Sequence, residues 1–168
     1  MVQAFQEIAP RRFRESFGRY YEDFEVDDVY EHRPGRTINE SDNTWFTLLT
    51  MNTHPMHFDV EYAKKSEFKR PIVCSPLTVA ILVGMSVTDV SQKAIANLGW
   101  ESITLTHPVF AGDTLYAESR VLNKRESVSR PNAGIVTVHT LGRNQNGVEV
   151  CAFNRTMLIA KRDTLPQD

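Results

Sequence analysis

The sequence is short of cysteine, of net charge and of long apolar runs, and each shortage excludes a class of protein. Only Cys74 and Cys151 occur in 168 residues, and neither stands in a CxxC motif or a Cys/His cluster. A disulfide scaffold and a structural zinc site are therefore not expected, and a reduced, cytoplasmic setting is. Lys plus Arg number 19 against 21 Asp plus Glu, a net charge of −2. That balance lacks the electrostatic footprint of a nucleic-acid binder or a basic membrane-surface protein. No apolar run approaches the ~20 residues that span a bilayer, and the N-terminus shows no signal-peptide core. Arg11, Arg12 and Arg14 stand among Glu7 and Glu15 and read as a flexible arm rather than a transit peptide. Repeats and low-complexity tracts are also lacking. What remains is an ordinary globular balance, 41% hydrophobic and 24% charged. The length suits one domain that buries a core without staples.

The pattern along the chain is α+β. Residues 30–38, broken by Pro34-Gly35, read as an irregular strand. Ser41 or Asp42 can cap a short helix carrying Trp45, Phe46, Leu48 and Leu49, which stops near Asn52, before Pro55. A second short helix is expected over 60–66, with acids at its start and lysines at its end. The longest apolar stretch, 77–90, follows Ser75 and Pro76, suited to N-cap and N1. It is apolar nearly all round, so it must be wrapped by something. From residue 100 the period changes to two. Segments 100–107, 114–125, 134–143 and 148–160 read as strands, with Gly112-Asp113 and Asn144-Gln145-Asn146-Gly147 as turns. An antiparallel sheet curled around one central apolar helix, about 76–91, follows.

Four segments could carry chemistry. The loop 51–59 concentrates His54, His57, Asn52 and Asp59 around Pro55. His57 suits proton transfer, because imidazole titrates near neutrality. A metal site would need a third ligand that only Asp59 offers, so none is assigned. Cys74-Ser75-Pro76 stand where a helix start offers free N–H groups and partial positive charge, able to polarise a carbonyl. A lowered pKa there would suit Cys74 as a nucleophile, yet no triad accompanies it. Segment 108–115 is a tight turn leading into a strand. Segment 124–134 gathers Lys124, Arg125 and Arg130, suited to phosphate or carboxylate, or simply a solvated loop.

Three of these segments carry a resemblance: 52–59, Asn-Thr-His-Pro-Met-His-Phe-Asp; 70–77, Arg-Pro-Ile-Val-Cys-Ser-Pro-Leu; and 108–115, Pro-Val-Phe-Ala-Gly-Asp-Thr-Leu. Together they resemble the MaoC-like dehydratase group of the hotdog fold, and 125–136 resembles its mesaconyl-CoA and itaconyl-CoA hydratase branch. The resemblance implies a single hotdog domain over 18–162, after an arm of 1–17 and before a tail of 163–168. It implies a homodimer joined sheet edge to sheet edge, or a trimer of such dimers. The activity implied is a hydro-lyase that adds water reversibly across the C=C of an enoyl-CoA thioester, a short branched dicarboxylic acyl-CoA of the mesaconyl-CoA or itaconyl-CoA type. Coenzyme A enters as part of the substrate, with no other cofactor.

The group's (R)-specific hydratases use an Asp and, after four intervening residues, a His. The matching positions are Asn52 and His57, and an amide orients groups where a carboxylate would take a proton. His57 is therefore expected to carry the acid–base work, with Asn52 positioning water and His54 assisting. Cys74, Ser75 and Leu77 at the helix start would meet the thioester. Arg125 or Arg130 would pair with a second carboxylate or with CoA phosphates. The alternatives are a hydratase of fatty enoyl-CoA, a hotdog thioesterase, and a noncatalytic acyl-CoA binder motivated by Asn52.

Overall fold

A computed structural model of the chain describes residues 5–162. Residues 1–4 of the expected arm and all of the expected tail, 163–168, lie outside the described residues. The rest of the arm is a hairpin: β1 (Phe5–Ala9) pairs antiparallel with β2 (Arg12–Glu15), apart from the main sheet. The Phe5 and Phe13 rings meet edge-on at 5.6 Å across it. The sequence shows no strand there because Glu and Arg alternate with the two aromatics on a segment with no buried face.

β3 (Val29–Thr37) leads into α1 (Glu40–Leu49). The cap of α1 is Asn39 rather than Ser41 or Asp42. Its Oδ1 accepts the Asp42 N–H, and Asp42 reaches back to the Asn39 N–H, each at 2.9 Å. Asp42 is thus the return arm of a capping box. Asn52 N–H closes the helix on the Thr47 carbonyl at 2.9 Å, while Met51 takes a left-handed φ of +56°. A single 3-10 turn (Pro55–His57) and α2 (Val60–Ala63) follow, α2 ending three residues earlier than expected.

The central helix α3 spans Ser75–Met85, and a π-helical turn carries the chain on to Ser91. Its N-cap is Cys74, one residue before the expected Ser75, and its last α-helical residue comes before the expected 91. Pro76 tolerates the second helical position as well as the first, because neither N–H has an intrahelical partner.

Four long strands complete the chain: β4 (Ala94–Leu105), β5 (Thr114–Glu126), β6 (Ala133–Arg143) and β7 (Glu149–Ala160). The sheet order is β3-β5-β6-β7-β4, every pairing antiparallel. The β6–β7 turn closes through the Gly147 N–H on the Asn144 carbonyl, with Gly147 at φ +76°, a conformation that suits glycine. One face of α3 packs on the sheet, where Leu77 and Leu82 join Leu115, Cys151 and Phe153 in the core. A second cluster around Phe24, Val121 and Met157 fills the other end. The opposite face of α3, with Pro76, Ala80 and Gly84, is exposed, as is Val87 in the turn that follows. The wrapping that an all-round apolar helix needs is thus only half supplied by this one chain.

Candidate functional site

Three segments converge at the start of α3. α1 brings Asn43, the loop after it brings Asn52 to His57, and the strand-like run before α3 brings Ile72 to Ser75. The run is held from the other side by the Val73 N–H on the Val109 carbonyl at 2.8 Å. Asn43 is 5% exposed and holds the three together. Its Nδ2 donates to the His57 carbonyl at 2.8 Å and to the Ile72 carbonyl at 3.1 Å, and its Oδ1 accepts the Cys74 N–H at 2.8 Å.

His57 is half-buried. Its Nδ1 is 3.0 Å from the Ile72 carbonyl. A carbonyl only accepts, so Nδ1 carries the proton and Nε2 is left with a lone pair. His54 has the opposite tautomer: its Nδ1 accepts the Met56 N–H at 3.3 Å, which places the proton of the neutral ring on Nε2. The two rings lie 5.9 Å apart. One outward nitrogen can therefore take a proton, and the other can offer a hydrogen bond.

Asn52 donates from Nδ2 to the Cys74 sulfur at 3.2 Å, and its Oδ1 accepts the His54 N–H at 3.1 Å. Cys74 is a free thiol only 1% exposed, lodged in the core with Leu77. Both are walled off from solvent, and that burial removes the physical basis for a nucleophilic Cys74. Ser75 is exposed. At the helix start, the Cys74 N–H is taken by Asn43, residue 76 is proline, and the Leu77 and Thr78 N–H groups both go to the Cys74 carbonyl. Among the described residues, the Ser75 N–H is the one donor of that turn with no partner. It stands between a cavity of about 230 Å³ on the Thr78, Thr106 and Val109 side and an apolar groove of about 580 Å³ between α3 and the edge strand β4, walled by Val79, Val83, Trp100 and Ile103.

The structure thus brings together His57, Asn52, His54, Cys74, Ser75 and Leu77. It does not bring Arg125 and Arg130 to them. Leu115 shares a core with Cys74, while Arg125 lies ten residues further along β5, about 30 Å at the rise of an extended strand. Arg130 is in the exposed turn beyond, and Lys124 is turned inward onto the Phe24 carbonyl. Among the described residues, no group of three or more His, Cys, Asp or Glu side chains could hold a metal ion.

Sequence reasoning missed Asn43. The available signal was an amide four residues before Thr47, on the buried rather than the solvent side of an amphipathic helix. A second constellation also went unseen: Asp89 Oδ2 at 3.0 Å from His32 Nδ1, and His32 Nε2 at 2.8 Å from Ser119 Oγ. His32 and Ser119 are both fully buried. The arrangement has a triad's order but offers no path to a substrate, and Ser119 turns instead to Thr140 at 2.8 Å.

Comparison with known proteins follows the same lines. The family described as mesaconyl-CoA hydratase matches residues 2–168. The mesaconyl-CoA hydratase of Cereibacter sphaeroides is 33% identical over 147 residues, 88% of this chain and 43% of that protein. The beta-methylmalyl-CoA dehydratase of Chloroflexus aurantiacus is 32% identical over 146 residues, 87% of this chain and 41% of that protein. The chain spans about half the length of the curated relatives it matches. Among solved structures, a putative MaoC domain protein dehydratase from Chloroflexus aurantiacus superposes with a TM-score of 0.83 at 32% identity, covering 90% of this chain and 43% of that one. A Mycobacterium tuberculosis protein described as a double hotdog fold does so with a TM-score of 0.80 at 19% identity, covering 90% and 47%. The sheet and central helix described above are a hotdog fold.

Proposed function

Because the chain belongs to the mesaconyl-CoA hydratase family of MaoC-like proteins, we propose that it is a hydro-lyase that adds water reversibly across the C=C of a short, branched, dicarboxylic enoyl-CoA. The observation that carries this reading is the pairing of an imidazole with a free Nε2 lone pair, His57, and an unpartnered N–H at a helix start, Ser75. Both are braced by one buried amide, Asn43.

The Ser75 N–H donates to the thioester oxygen, stabilises the negative charge that develops there and makes the β-carbon electrophilic. His57 Nε2 takes a proton from a water as its oxygen bonds to the β-carbon. The electron pair of the C=C moves toward the thioester, forming an enolate. The imidazolium then returns its proton to the α-carbon. Asn52 and the Nε2–H of His54 orient the water. Each proton taken is given back, so the cycle needs no cofactor beyond the coenzyme A of the substrate. In reverse the same groups dehydrate a 3-hydroxyacyl-CoA.

The working unit in this reading is a homodimer, built from a hotdog domain over 18–162. β4 is a twelve-residue edge strand with Leu98, Trp100 and Ile103 exposed, beside the open face of α3. Such an edge invites pairing, and a second copy would bring the assembly to the length of the relatives. The two buried free thiols suit a reducing, cytoplasmic setting.

The test is to incubate the chain with mesaconyl-CoA and crotonyl-CoA and follow enoyl-thioester absorbance and free thiol together. Loss of absorbance without thiol supports hydration. Thiol release supports thioester cleavage instead. Binding with neither change makes the protein an acyl-CoA binder, the reading that Asn52 in place of a carboxylate would favour.

A further inference from the structure

A second imidazole borders the same helix start. His107 Nδ1 is 2.7 Å from the Glu149 carbonyl, so it donates there, and the Thr106 hydroxyl donates to that carbonyl at 2.7 Å as well. His107 is thereby held as His57 is, with Nδ1–H on a main-chain carbonyl and Nε2 left for another partner. It lines the 230 Å³ cavity that also holds Ser75, Thr78 and Thr106. Of the ten residues lining that cavity, it alone has an ionisable side chain. Ile72 joins the two imidazoles: its carbonyl holds His57, and the residue borders the cavity of His107.

We propose that His107 is the specificity-determining residue that receives the second carboxylate of the acyl group. The inference rests on the hydratase reading above and names the feature that selects its substrate. A thioester oxygen on the Ser75 N–H fixes the acyl chain. In a dicarboxylic acyl group with a four-carbon main chain the far carboxylate carbon is three carbon–carbon bonds from the thioester carbon, each ~1.5 Å. Of the two spaces beside Ser75, the apolar groove along α3 offers no ionisable side chain, so the carboxylate is met in the cavity that His107 lines. Ile72, Val73, Leu105 and Val109 give that cavity apolar walls. A carboxylate entering it needs a charge-assisted donor to replace its water. With Nδ1–H already on the Glu149 carbonyl, Nε2 is the ring atom left to meet an incoming oxygen, and an imidazolium would do so as a charge-assisted donor. Arg70 packs over the Phe110 ring at 3.9 Å and does not line the cavity, Arg125 stands at the far end of β5, and Arg130 lies in the turn beyond it. An acyl group without the second carboxylate has no use for His107.

The experiment compares mesaconyl-CoA with crotonyl-CoA for the intact chain, His107→Ala and His107→Arg, following loss of enoyl-thioester absorbance. His107→Ala is expected to raise KM for mesaconyl-CoA about 10-fold or more, the loss of one charge-assisted bond. It should leave kcat/KM for crotonyl-CoA within about two-fold. His107→Arg, which keeps a cationic donor, is expected to retain the preference for mesaconyl-CoA. Equal losses on both substrates, or no change on either, would overturn the role of His107 and leave the hydratase reading standing, whereas a wild-type chain that hydrates crotonyl-CoA alone would overturn that role together with the dicarboxylic substrate class. A wild-type chain that hydrates neither brings both down.

Discussion

The Asn43 carboxamide binds the Cys74 N–H and the His57 carbonyl at once, each at 2.8 Å. A helix laid down thirty residues before the central one therefore sets the spacing between the candidate base and the candidate oxyanion donor. Replacing Asn43 with Ala leaves a buried N–H and two carbonyls without their partner, which costs about 2–3 kcal/mol. The expected result is a lower Tm together with kcat reduced about 100-fold, because a small misplacement of reacting groups is enough for that. KM should change far less. Asn43→Asp, which restores only the acceptor for Cys74, should fall between. Thermal unfolding and steady-state kinetics on the same preparations check both.

His57→Gln removes the proton acceptor and keeps a polar side chain of similar reach. Hydration should fall by about 10²–10⁴-fold, with the fold intact, since the imidazole contributes one hydrogen bond to Ile72. Turnover near wild type, in a protein with an unchanged circular dichroism spectrum, would remove His57 from the mechanism.

Asn52→Asp puts back the carboxylate that the hydratase pattern has at this position. The new side chain can still accept the His54 N–H, and the Cys74 thiol, now lacking a donor from Asn52, can turn its own S–H toward the carboxylate. Equal or faster hydration is expected. A folded but inactive variant would show that the amide itself is required.

Alkaline pH should destabilise the protein through Cys151. Burial, with a smaller contribution from the Glu149 carboxylate, pushes its thiol up from 9.0 to about 11. Tyr30 is pushed up to about 12, chiefly by burial and against the pull of Arg19. Above pH 9 the unfolded chain loses the Cys151 proton while the folded chain keeps it, so stability is full below pH 9 and declines as pH rises toward 11. Urea midpoints measured across pH 8 to 10.5 should show that decline (about one window, set by the thiol), and Cys151→Ala should flatten it.

Much of this architecture is legible in the order of residues. Period two from β5 to β7 follows from one buried face per strand, and Asn144 to Gly147 forms the turn expected of it. The apolar helix before them is visible from composition alone, and His57 stands out as an imidazole in a Pro-anchored loop. The start of β4 is not legible. Residues 94–99 pair with β7 through shifted registers at a largely exposed edge, so no alternation marks them. The hairpin of β1 and β2 buries nothing that would leave a periodic trace. Asn43 escaped because its partners lie 14, 29 and 31 residues away in the chain. Arg125 and Arg130 stand at the other end of β5 from Leu115 and in the turn beyond, a separation that their place in the sequence does not reveal.

With Pro76 lacking an N–H and its neighbours' donors engaged, Ser75 is, among the described residues, the one free donor of its turn, and that donor is a main-chain N–H. A side-chain scan across 75 will not see it: Ser75→Ala, Ser75→Gly and Ser75→Thr all carry the same amide. Only a change that erases the N–H, such as proline at 75 or an ester linkage built in by semisynthesis, reaches the electrophilic end of the reaction. Selection acting on side chains is free to vary this position, so the oxyanion donor proposed here would hide behind an apparently tolerant residue.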